Sequence, residues 1–370
     1  MTIAIKAVIF TESSRNVGGQ ELQLMQQMEA LQQQGIACTL VCLPGGKVDT
    51  QARARGLTVV NAAFRNSAHL PTILTLRALL RRTRAQMVIC HSGHDANNAA
   101  LAARLLRPRP FVLRSRTYLA GRVKPLPYNL LADATMVPSH YLRNALLANP
   151  AIRPERIHVV YPGIDFAGID SRSQQPLPEH VARWLAAGTG PLLLHVAMLR
   201  GEKGHLLMLE VLSRLRPRWP QLRYLIAGEG EARAAIEARI VALQLQQQVL
   251  LAGSVLPASC LYRHADLLVM PSSYEPLGMS QIEALALGIP VVASDTGGIP
   301  ETIHHGDTGL LVAPEDVDAW VAAIDQALSA PERMRAMAAA GARDVRSRFS
   351  VAHNLQQILA LQHAFATRQS

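Results

Sequence analysis

Glu275 and Glu283 stand eight residues apart in the run Tyr274-Glu275-Pro276-Leu277-Gly278-Met279-Ser280-Gln281-Ile282-Glu283-Ala284. Between them a Pro-Leu-Gly segment opens into a predicted helix, with Glu275 before it and Glu283 within it. The first turn of a helix leaves backbone N–H groups free, and these with the helix dipole bind phosphate. An ionised carboxylate only accepts hydrogen bonds, which suits it to hydroxyl donors. With most of the interval helical, the two carboxylates lie roughly 10 Å apart along the axis. That is about the span of a nucleotide-sugar. Glu283 sits among Ile282, Ala284, Leu285, Ala286 and Leu287, an apolar setting in which a carboxylate needs partners.

The run continues into Gly288-Ile289-Pro290-Val291-Val292 and Asp295-Thr296-Gly297-Gly298. Together these residues resemble the signature of the retaining glycosyltransferases of family 4, a glutamate, seven residues and a second glutamate. The resemblance implies that Glu275 contacts the donor sugar and Glu283 the ribose. The amides around Leu277, Gly278, Met279 and Ser280 then hold the diphosphate. Other segments are similar to the same family. Val159-Val160-Tyr161-Pro162-Gly163-Ile164-Asp165 resembles its passage between domains, and Ala227-Gly228-Glu229-Gly230 its second nucleotide-side turn. Val249 to Val255, with Gly253, resembles the strand and loop that hold the base. The implied architecture is α/β and GT-B: two Rossmann-like domains facing across a cleft, with a C-terminal helix crossing back to the first domain.

Further candidates lie in loops after strand-like runs. His195-Val196-Ala197-Met198-Leu199-Arg200-Gly201-Glu202-Lys203-Gly204 puts Arg200 and Lys203 at the carboxyl edge of a sheet, where ligands bind in such folds. Departure of a nucleotide diphosphate builds negative charge that fixed cations stabilise. The resemblance gives Lys203 this role. The family often has its arginine two positions earlier, where this chain has Met198, so Arg200 must reach from a shifted position. Gly18 and Gly19 follow the first strand and allow a ligand close to the backbone; the family uses this loop near the reacting centre. In Cys90-His91-Ser92-Gly93-His94-Asp95, His94 and Asp95 are the candidates for facing an acceptor hydroxyl. Asp95 also suits a capping role before Ala96-Asn97-Asn98.

Other signals fail. Asp316-Val317-Asp318 is a literal Asp-x-Asp but stands at a helix start, where acidic residues favour the dipole. Gly228-Glu229-Gly230 lacks the third glycine of a dinucleotide fingerprint. His91 with His94, and His304 with His305, lack a third metal ligand. No Gly-x-Ser-x-Gly elbow supports hydrolase chemistry.

The 370 residues have room for two domains, each with a full core. No apolar run approaches the roughly 20 residues that span a bilayer. The opening Met1-Thr2-Ile3-Ala4-Ile5-Lys6 reads as a first strand and lacks the pattern of a signal peptide. Cys38, Cys42, Cys90 and Cys260 show no zinc spacing and read as buried free thiols of a reducing cytoplasm. The net charge is +10, with 20 Lys and Arg against 9 Asp and Glu up to Asp170, and 17 against 18 beyond it. The excess belongs to the first half. Arg77, Arg81, Arg82 and Arg84 crowd one predicted helix end, and Arg104, Arg107, Arg109, Arg114, Arg116, Arg122 and Lys124 follow. Such asymmetry points to an acidic partner, whether a phosphorylated acceptor, an anionic membrane surface or nucleic acid, or equally to a solvated basic face.

Strand-like and helical runs alternate, as in layered α/β domains with parallel sheets. Expected strands fall near Ile3–Phe10, Ala37–Leu43, Met87–His91, Phe111–Arg114, Ala134–Val137 and Ile157–Val160, with helices over Gln20–Gln33 and Pro71–Arg84. The pattern restarts at Leu192–Ala197, followed by Arg223–Ala227, Val249–Leu251, Leu267–Met270 and Val291–Ala293. The expected domains are 1–165 for the acceptor, with the 350–370 helix packed back onto it, and 191–349 for the nucleotide-sugar. Residues 166–190 are the expected linker, with a short helix around His180–Ala187.

These readings converge on a retaining, metal-independent hexosyltransferase. Its donor is a nucleotide-diphospho-sugar, UDP-sugar first, and it needs no separate cofactor. The expected acceptor is a glycan or glycolipid, lipopolysaccharide core or another lipid-linked envelope saccharide first. The expected place is cytoplasmic, peripheral at the inner face of the cytoplasmic membrane, against an anionic surface. The alternatives are a sugar-nucleotide epimerase or hydrolase on the same fold, and a nucleic-acid-binding protein. The last lacks interleaved aromatics and any reading motif, so no nucleic acid is expected as partner.

Overall fold

The computed structural model describes residues 5–119, 121 and 123–367. Ile3 and Ala4 of the expected first strand, and Arg122 of the basic run, lie outside the described residues. Two compact units emerge, one with the residues up to Ile164 and from Phe349 onward, the other Asp165–Arg348.

In the first unit β1 (Ala7–Glu12), α1 (Gly19–Gln33), β2 (Ala37–Cys42), α2 (Lys47–Ala54), β3 (Val59–Asn61) and α3 (Leu70–Thr83) come first. Then follow β4 (Met87–Cys90), α4 (Gly93–Arg104), β5 (Phe111–Ser115), β6 (Ala134–Val137), α5 (His140–Leu147) and β7 (Ile157–Val159). All strands join one parallel sheet in the order β3-β2-β1-β4-β5-β6-β7. Parallel strands are covered on both faces, so they read as continuous apolar runs. In β1, Val8 and Phe10 enter one core with Leu24, Met25 and Met28 of α1, while Ile9 enters another with Leu76 and Ala99 of α3 and α4. The edge strand β3 was not among the expected strands; it is three residues long, and none of them is fully buried.

The second unit runs α6 (Phe166–Ser173), α7 (Glu179–Ala186), β8 (Leu192–Val196), α8 (His205–Leu215), β9 (Arg223–Ala227), α9 (Arg233–Ala242), β10 (Val249–Gly253) and α10 (Ser259–Tyr262). It continues with β11 (Leu267–Met270), α11 (Ser280–Ala286), β12 (Val291–Ser294), β13 (Leu310–Val312), α12 (Val317–Ser329) and α13 (Pro331–Arg348). Its parallel sheet has the order β10-β9-β8-β11-β12-β13. The segment 166–190, expected as a linker, instead groups with this unit. Phe166, Ile169 and Val181 are buried in it, and Arg346 holds Asp170 through two hydrogen bonds of 3.1 and 2.6 Å. Apolar anchors on α6 and α7 outweigh the Pro and Gly content that suggested a connector.

The last helix, α14 (Val351–Thr367), belongs to the first unit. Leu355 and Ile358 enter the α1 core, Gln27 Nε2 donates to Asn354 Oδ1 at 2.9 Å, and Phe365 meets Phe111 at 5.0 Å. The four cysteines are free and buried. No described helix is long and apolar enough to cross a membrane.

Both sheets share one topological property. The chain builds outward in one direction from β1, then restarts at β4 on the opposite side; β8 and β11 repeat the arrangement. At such a switch point the loops leaving two neighbouring strands diverge, which makes the carboxyl edge there the place for a ligand.

Candidate functional site

At the β8/β11 switch point of the second unit, Lys203 Nζ donates to Glu275 Oε2 at 2.5 Å. Both side chains are mostly buried, at 16% and 13% exposure. Lys203 ends a short 3-10 turn, Gly201–Lys203, and Gly204 then adopts φ +72°. A Cβ on Gly204 would lie 2.1 Å from the Pro271 carbonyl, so the loop after β8 rests directly on the loop after β11. Ser273 N donates to Glu202 O at 2.8 Å and seals the two loops together. Arg200 is exposed and stands 4.0 Å from Glu202, free to swing towards an anion at this edge.

The turn after β12 fixes the other side of Glu275. Gly298 N donates to Glu275 O at 2.9 Å, and Cβ atoms on Gly297 and Gly298 would lie 2.0 and 2.2 Å from the carbonyls of Glu275 and Pro276. Only glycine permits that approach. The Asp-Thr-Gly-Gly run is therefore a clamp on the backbone that carries Glu275.

The interval between the two glutamates differs from the expected helix. α11 begins only at Ser280, because Gly278 turns through φ +86° and Pro276 cannot donate to a helical bond. The axial spacing of roughly 10 Å therefore does not apply. Among the described residues no acceptor pairs with the amides of Leu277, Gly278, Met279 or Ser280. The Ser280 hydroxyl donates to Val196 O at 2.7 Å, tying the turn to the end of β8. Glu283 lies in the first turn of α11, partly buried. Desolvation raises its carboxyl above the ordinary range, opposed by the Tyr262 hydroxyl, which donates at 3.0 Å, and by the charge of Arg172.

Gly228 and Gly230 serve loop packing. Their Cβ atoms would lie 1.9 and 2.3 Å from the Ala197 and Leu199 carbonyls, and Gly228 N donates to Gly253 O at 2.9 Å. They hold the loop after β9 against the loop that leads to Lys203. Beneath Lys203, His195 and His205 stack at 4.3 Å, with His195 Nδ1 2.7 Å from the Tyr224 hydroxyl. Burial lowers both imidazoles, His205 to about 4, so they stay neutral and add no charge. Sequence reading missed this pair. Asp316 caps α12 by accepting from Ala319 N at 3.0 Å, and Asp318 pairs with Arg214, so each acidic residue of the Asp-x-Asp has a structural partner.

The β1/β4 switch point of the first unit carries a polar network. Glu12, fully buried, accepts from Ser92 Oγ at 2.6 Å, Ser14 N at 2.8 Å and Gln20 Nε2 at 2.8 Å. Gln20 in turn accepts from Thr117 Oγ1 at 2.7 Å. Of the two readings of Asp95 in the sequence, the structure shows the capping one: it closes a capping box with Ser92 at the start of α4. It is fully buried and accepts from Thr11 Oγ1, His91 N and Ser92 N at 2.7, 3.0 and 2.8 Å. Burial, reinforced by the Glu12 charge, raises its carboxyl to about 7. His91 is buried as well, its imidazole lowered by desolvation. His94 is exposed on the first turn of α4, with Nδ1 3.0 Å from Ser67 Oγ. Gly18 N donates to Glu21 Oε2 at 2.8 Å in a capping arrangement, and Gly19 borders open space. Glu12 was absent from the sequence candidates; a carboxylate ending a strand beside a switch point is the signal that could have found it.

The basic residues of the two units are balanced differently. In the second unit Arg214, Arg218, Arg239 and Arg348 pair with Asp318, Asp325, Glu210 and Asp344. In the first, α3 has no acidic residue. Arg77, Arg81, Arg82 and Arg84 are exposed, and none forms an ion pair among the described residues. Leu70 and Leu74 of the same helix are 63% and 50% exposed.

Residues 17–167 match the family described as Glycosyltransferase Family 4, and residues 178–344 match Glycosyl transferases group 1. The alpha-maltose-1-phosphate synthase of Mycolicibacterium smegmatis is 32% identical over 243 residues, 62% of this chain and 62% of the relative. A D-inositol 3-phosphate glycosyltransferase of a Mycobacterium species is 32% identical over 268 residues, 69% of this chain and 57% of the relative. The chain thus spans less than two thirds of the length of either. The crystal structure of HepE from Anabaena in complex with UDP superposes with a TM-score of 0.82 at 19% identity, covering 96% of this chain and 99% of that one.

Proposed function

We propose that this chain, which carries a family 4 glycosyltransferase domain and a group 1 glycosyl transferase domain in the GT-B form, moves a sugar from a nucleotide-diphospho-sugar to an acceptor hydroxyl. The observation that carries the proposal is the Lys203–Glu275 pair, set beside four amides without acceptors at the β8/β11 switch point. A diphosphate accepts from the amides of Leu277 to Ser280 and draws Lys203 away from Glu275. Glu275, released, accepts from a hydroxyl of the donor sugar. Glu283 accepts from the ribose, and Arg200 closes on the phosphates from its exposed position. The loops of Gly228, Gly230 and Gly253 border the base. A UDP-sugar is the first donor to test; HepE, on the same fold, was crystallised with UDP.

In the reaction the bond between the sugar's anomeric carbon and the β-phosphate oxygen breaks, and its electron pair leaves with the diphosphate. The acceptor oxygen bonds to that carbon from the same face, and its proton passes to the departing phosphate. Configuration is retained. Lys203 and Arg200 stabilise the developing negative charge more in the transition state than in the ground state, which is what accelerates the step. They take the place of a metal.

The acceptor belongs with the first unit, at the edge formed by Gly18, Gly19, Gln20, Ser92, His94 and Thr117. An envelope saccharide, lipopolysaccharide core among the first, is the acceptor to test. The unpaired arginines and exposed leucines of α3 fit a peripheral position on an anionic membrane face at the cytoplasmic side. A thermal-shift panel of nucleotide diphosphates and nucleotide-sugars tests the donor, because a ligand bound only by the native state raises the melting temperature. Stabilisation by a nucleoside diphosphate and its sugar, transfer in excess chelator and an unchanged anomeric configuration by NMR are expected. Donor consumption without any acceptor would favour a hydrolase or epimerase. Loss of transfer with chelator, restored by Mg²⁺, would return the role of the cations to a metal.

A further inference from the structure

Arg114 and Arg116, at the carboxyl end of β5, have no part in the donor chemistry. Arg114 is 6% exposed, and its Nε and Nη1 are buried without a hydrogen-bond partner among the described residues. Arg116 has a buried Nε in the same condition. Its amide donates to Met136 O at 2.9 Å, so the chain stays extended past Ser115. Residues two apart on an extended chain share a face, and the two guanidiniums repel one another.

The nearby carboxylates do not answer these donors. Asp95 bears on Arg114 electrostatically, but its oxygens accept from Thr11, His91 and Ser92. Tyr128 lies with its ring centroid 4.6 Å from the Arg114 guanidinium carbon, so it supports the face of the cation and supplies no acceptor to Nε or Nη1. Thr135, in register with Arg114 on β6, has a buried hydroxyl that is also unpartnered. Two like charges, one almost wholly desolvated, are costly unless a counter-ion meets them. The guanidinium fork fits a phosphate in a bidentate way that a lysine cannot reproduce.

We infer that Arg114 and Arg116 bind a phosphate group of the acceptor, which makes the acceptor a phosphorylated saccharide or polyol. The inference rests on the glycosyltransferase reading and deepens it. The anion lies on the α4 side of the first sheet, the side of Val112 and Cys90, at the same carboxyl edge as Ser92. A phosphate held there anchors one end of the acceptor and leaves its hydroxyls for the edge of the β1/β4 switch point. The partly exposed Arg116 is the entrance, and Arg114 the buried floor.

The test is calorimetric titration of the full chain with inorganic phosphate, glucose 1-phosphate and glucose. The wild type, Arg116→Gln and Arg114→Lys are compared, with UDP as a separate titrant. The wild type should prefer glucose 1-phosphate to glucose by tenfold or more. Arg116→Gln should remove that preference, and Arg114→Lys, which keeps the charge and loses the fork, should weaken it about tenfold. UDP affinity should stay the same in all three. An undiminished preference in Arg116→Gln together with undiminished pelleting on phosphatidylinositol vesicles, or no saturable binding of either phosphate or of those vesicles by the wild type, overturns the site. A parallel arm pellets each protein on vesicles containing phosphatidylinositol. If Arg116→Gln weakens pelleting but not the soluble ester, the phosphate is a lipid headgroup; the reverse assigns it to a soluble ester. Failure of the wild type to bind UDP or any nucleotide-sugar would count against the donor reading and leave the phosphate result to stand by itself.

Discussion

Lys203 and Glu275 come from loops 72 residues apart and meet at 2.5 Å, mostly shielded from water. Each loop is held by backbone contacts: Ser273 N on Glu202 O, and Gly298 N on Glu275 O. The pair is a preset contact between the group that would attend the leaving phosphate and the group that would attend the sugar. Binding of the donor has to exchange it for two new partnerships. Lys203→Ala should lower kcat/KM by on the order of 10² or more, and Glu275→Gln should lower kcat with little change in donor KM. Because each partner holds the other in the free enzyme, the double variant should lose less than the sum of the two. Steady-state kinetics of the three proteins check this, and near-wild-type turnover in both single variants would remove the pair from the mechanism.

Glu283 should behave differently. Its carboxyl is raised by burial, so the folded protein holds the charge at a cost that Gln would not incur. Glu283→Gln should therefore leave the melting temperature unchanged or higher, while donor KM rises because an anionic acceptor bonds about twice as strongly as a neutral one. The wild-type donor KM should also rise as pH falls through the raised pKa of Glu283 and the carboxylate takes up its proton. In the variant that dependence should be lost. A donor KM with the same pH profile in both would place the ribose elsewhere.

Asp95 gives a prediction about stability. Its carboxyl is raised from 3.8 to about 7 in the folded protein, so the native state binds this proton more tightly than the unfolded chain. The stabilisation is full below the unfolded value and is lost as pH rises through about 7. Asp95→Asn keeps an acceptor for Thr11 and removes the titration. The difference in melting temperature between wild type and variant should therefore shift against the wild type between pH 4 and 8, by roughly a few kcal/mol at most in free energy. Calorimetry across that range checks it. Parallel pH profiles would show that Asp95 stays ionised, with the capping bonds outweighing burial.

The layout of both sheets was legible because buried parallel strands leave unbroken apolar runs, such as Ala7–Phe10 and Leu267–Met270. Among the three-residue edge strands only β7 was expected from the sequence, while β3 and β13 were not. The motif around Glu275 was legible because its geometry depends on residue types that cannot be exchanged: Gly278 at φ +86° and Gly297 at φ +59°. Position along the chain offered Asp95 both a cap and a cleft-facing role and could not choose between them, since that depends on the register of the first turn of α4. Glu12 and the His195–His205 stack were hidden for a related reason. Each matters through a partner some 80 or 10 residues away that only the fold brings near.

The last prediction concerns α3. A helix whose three arginines, with Arg84 just past its end, form no ion pair among the described residues, and whose Leu70 and Leu74 face outward, combines a cationic and an apolar surface. Each cation near an anionic bilayer contributes about 1 kcal/mol, an attraction that salt screens within a Debye length of roughly 10 Å. Vesicle binding should thus require anionic lipid and weaken as ionic strength rises. Replacing Arg77, Arg81, Arg82 and Arg84 together by Gln should lower the vesicle-bound fraction at least tenfold. Transfer to a soluble, delipidated acceptor should stay near the wild-type rate, because α3 contributes no side chain to either switch point described above. Leu70→Ser with Leu74→Ser should weaken binding with little effect on its salt dependence, which separates the apolar from the ionic contribution. Co-sedimentation over a salt series and a turnover assay on the same samples decide between the outcomes. Lost turnover with normal vesicle binding would assign the arginines to the acceptor; no change in either would make them a solvated face.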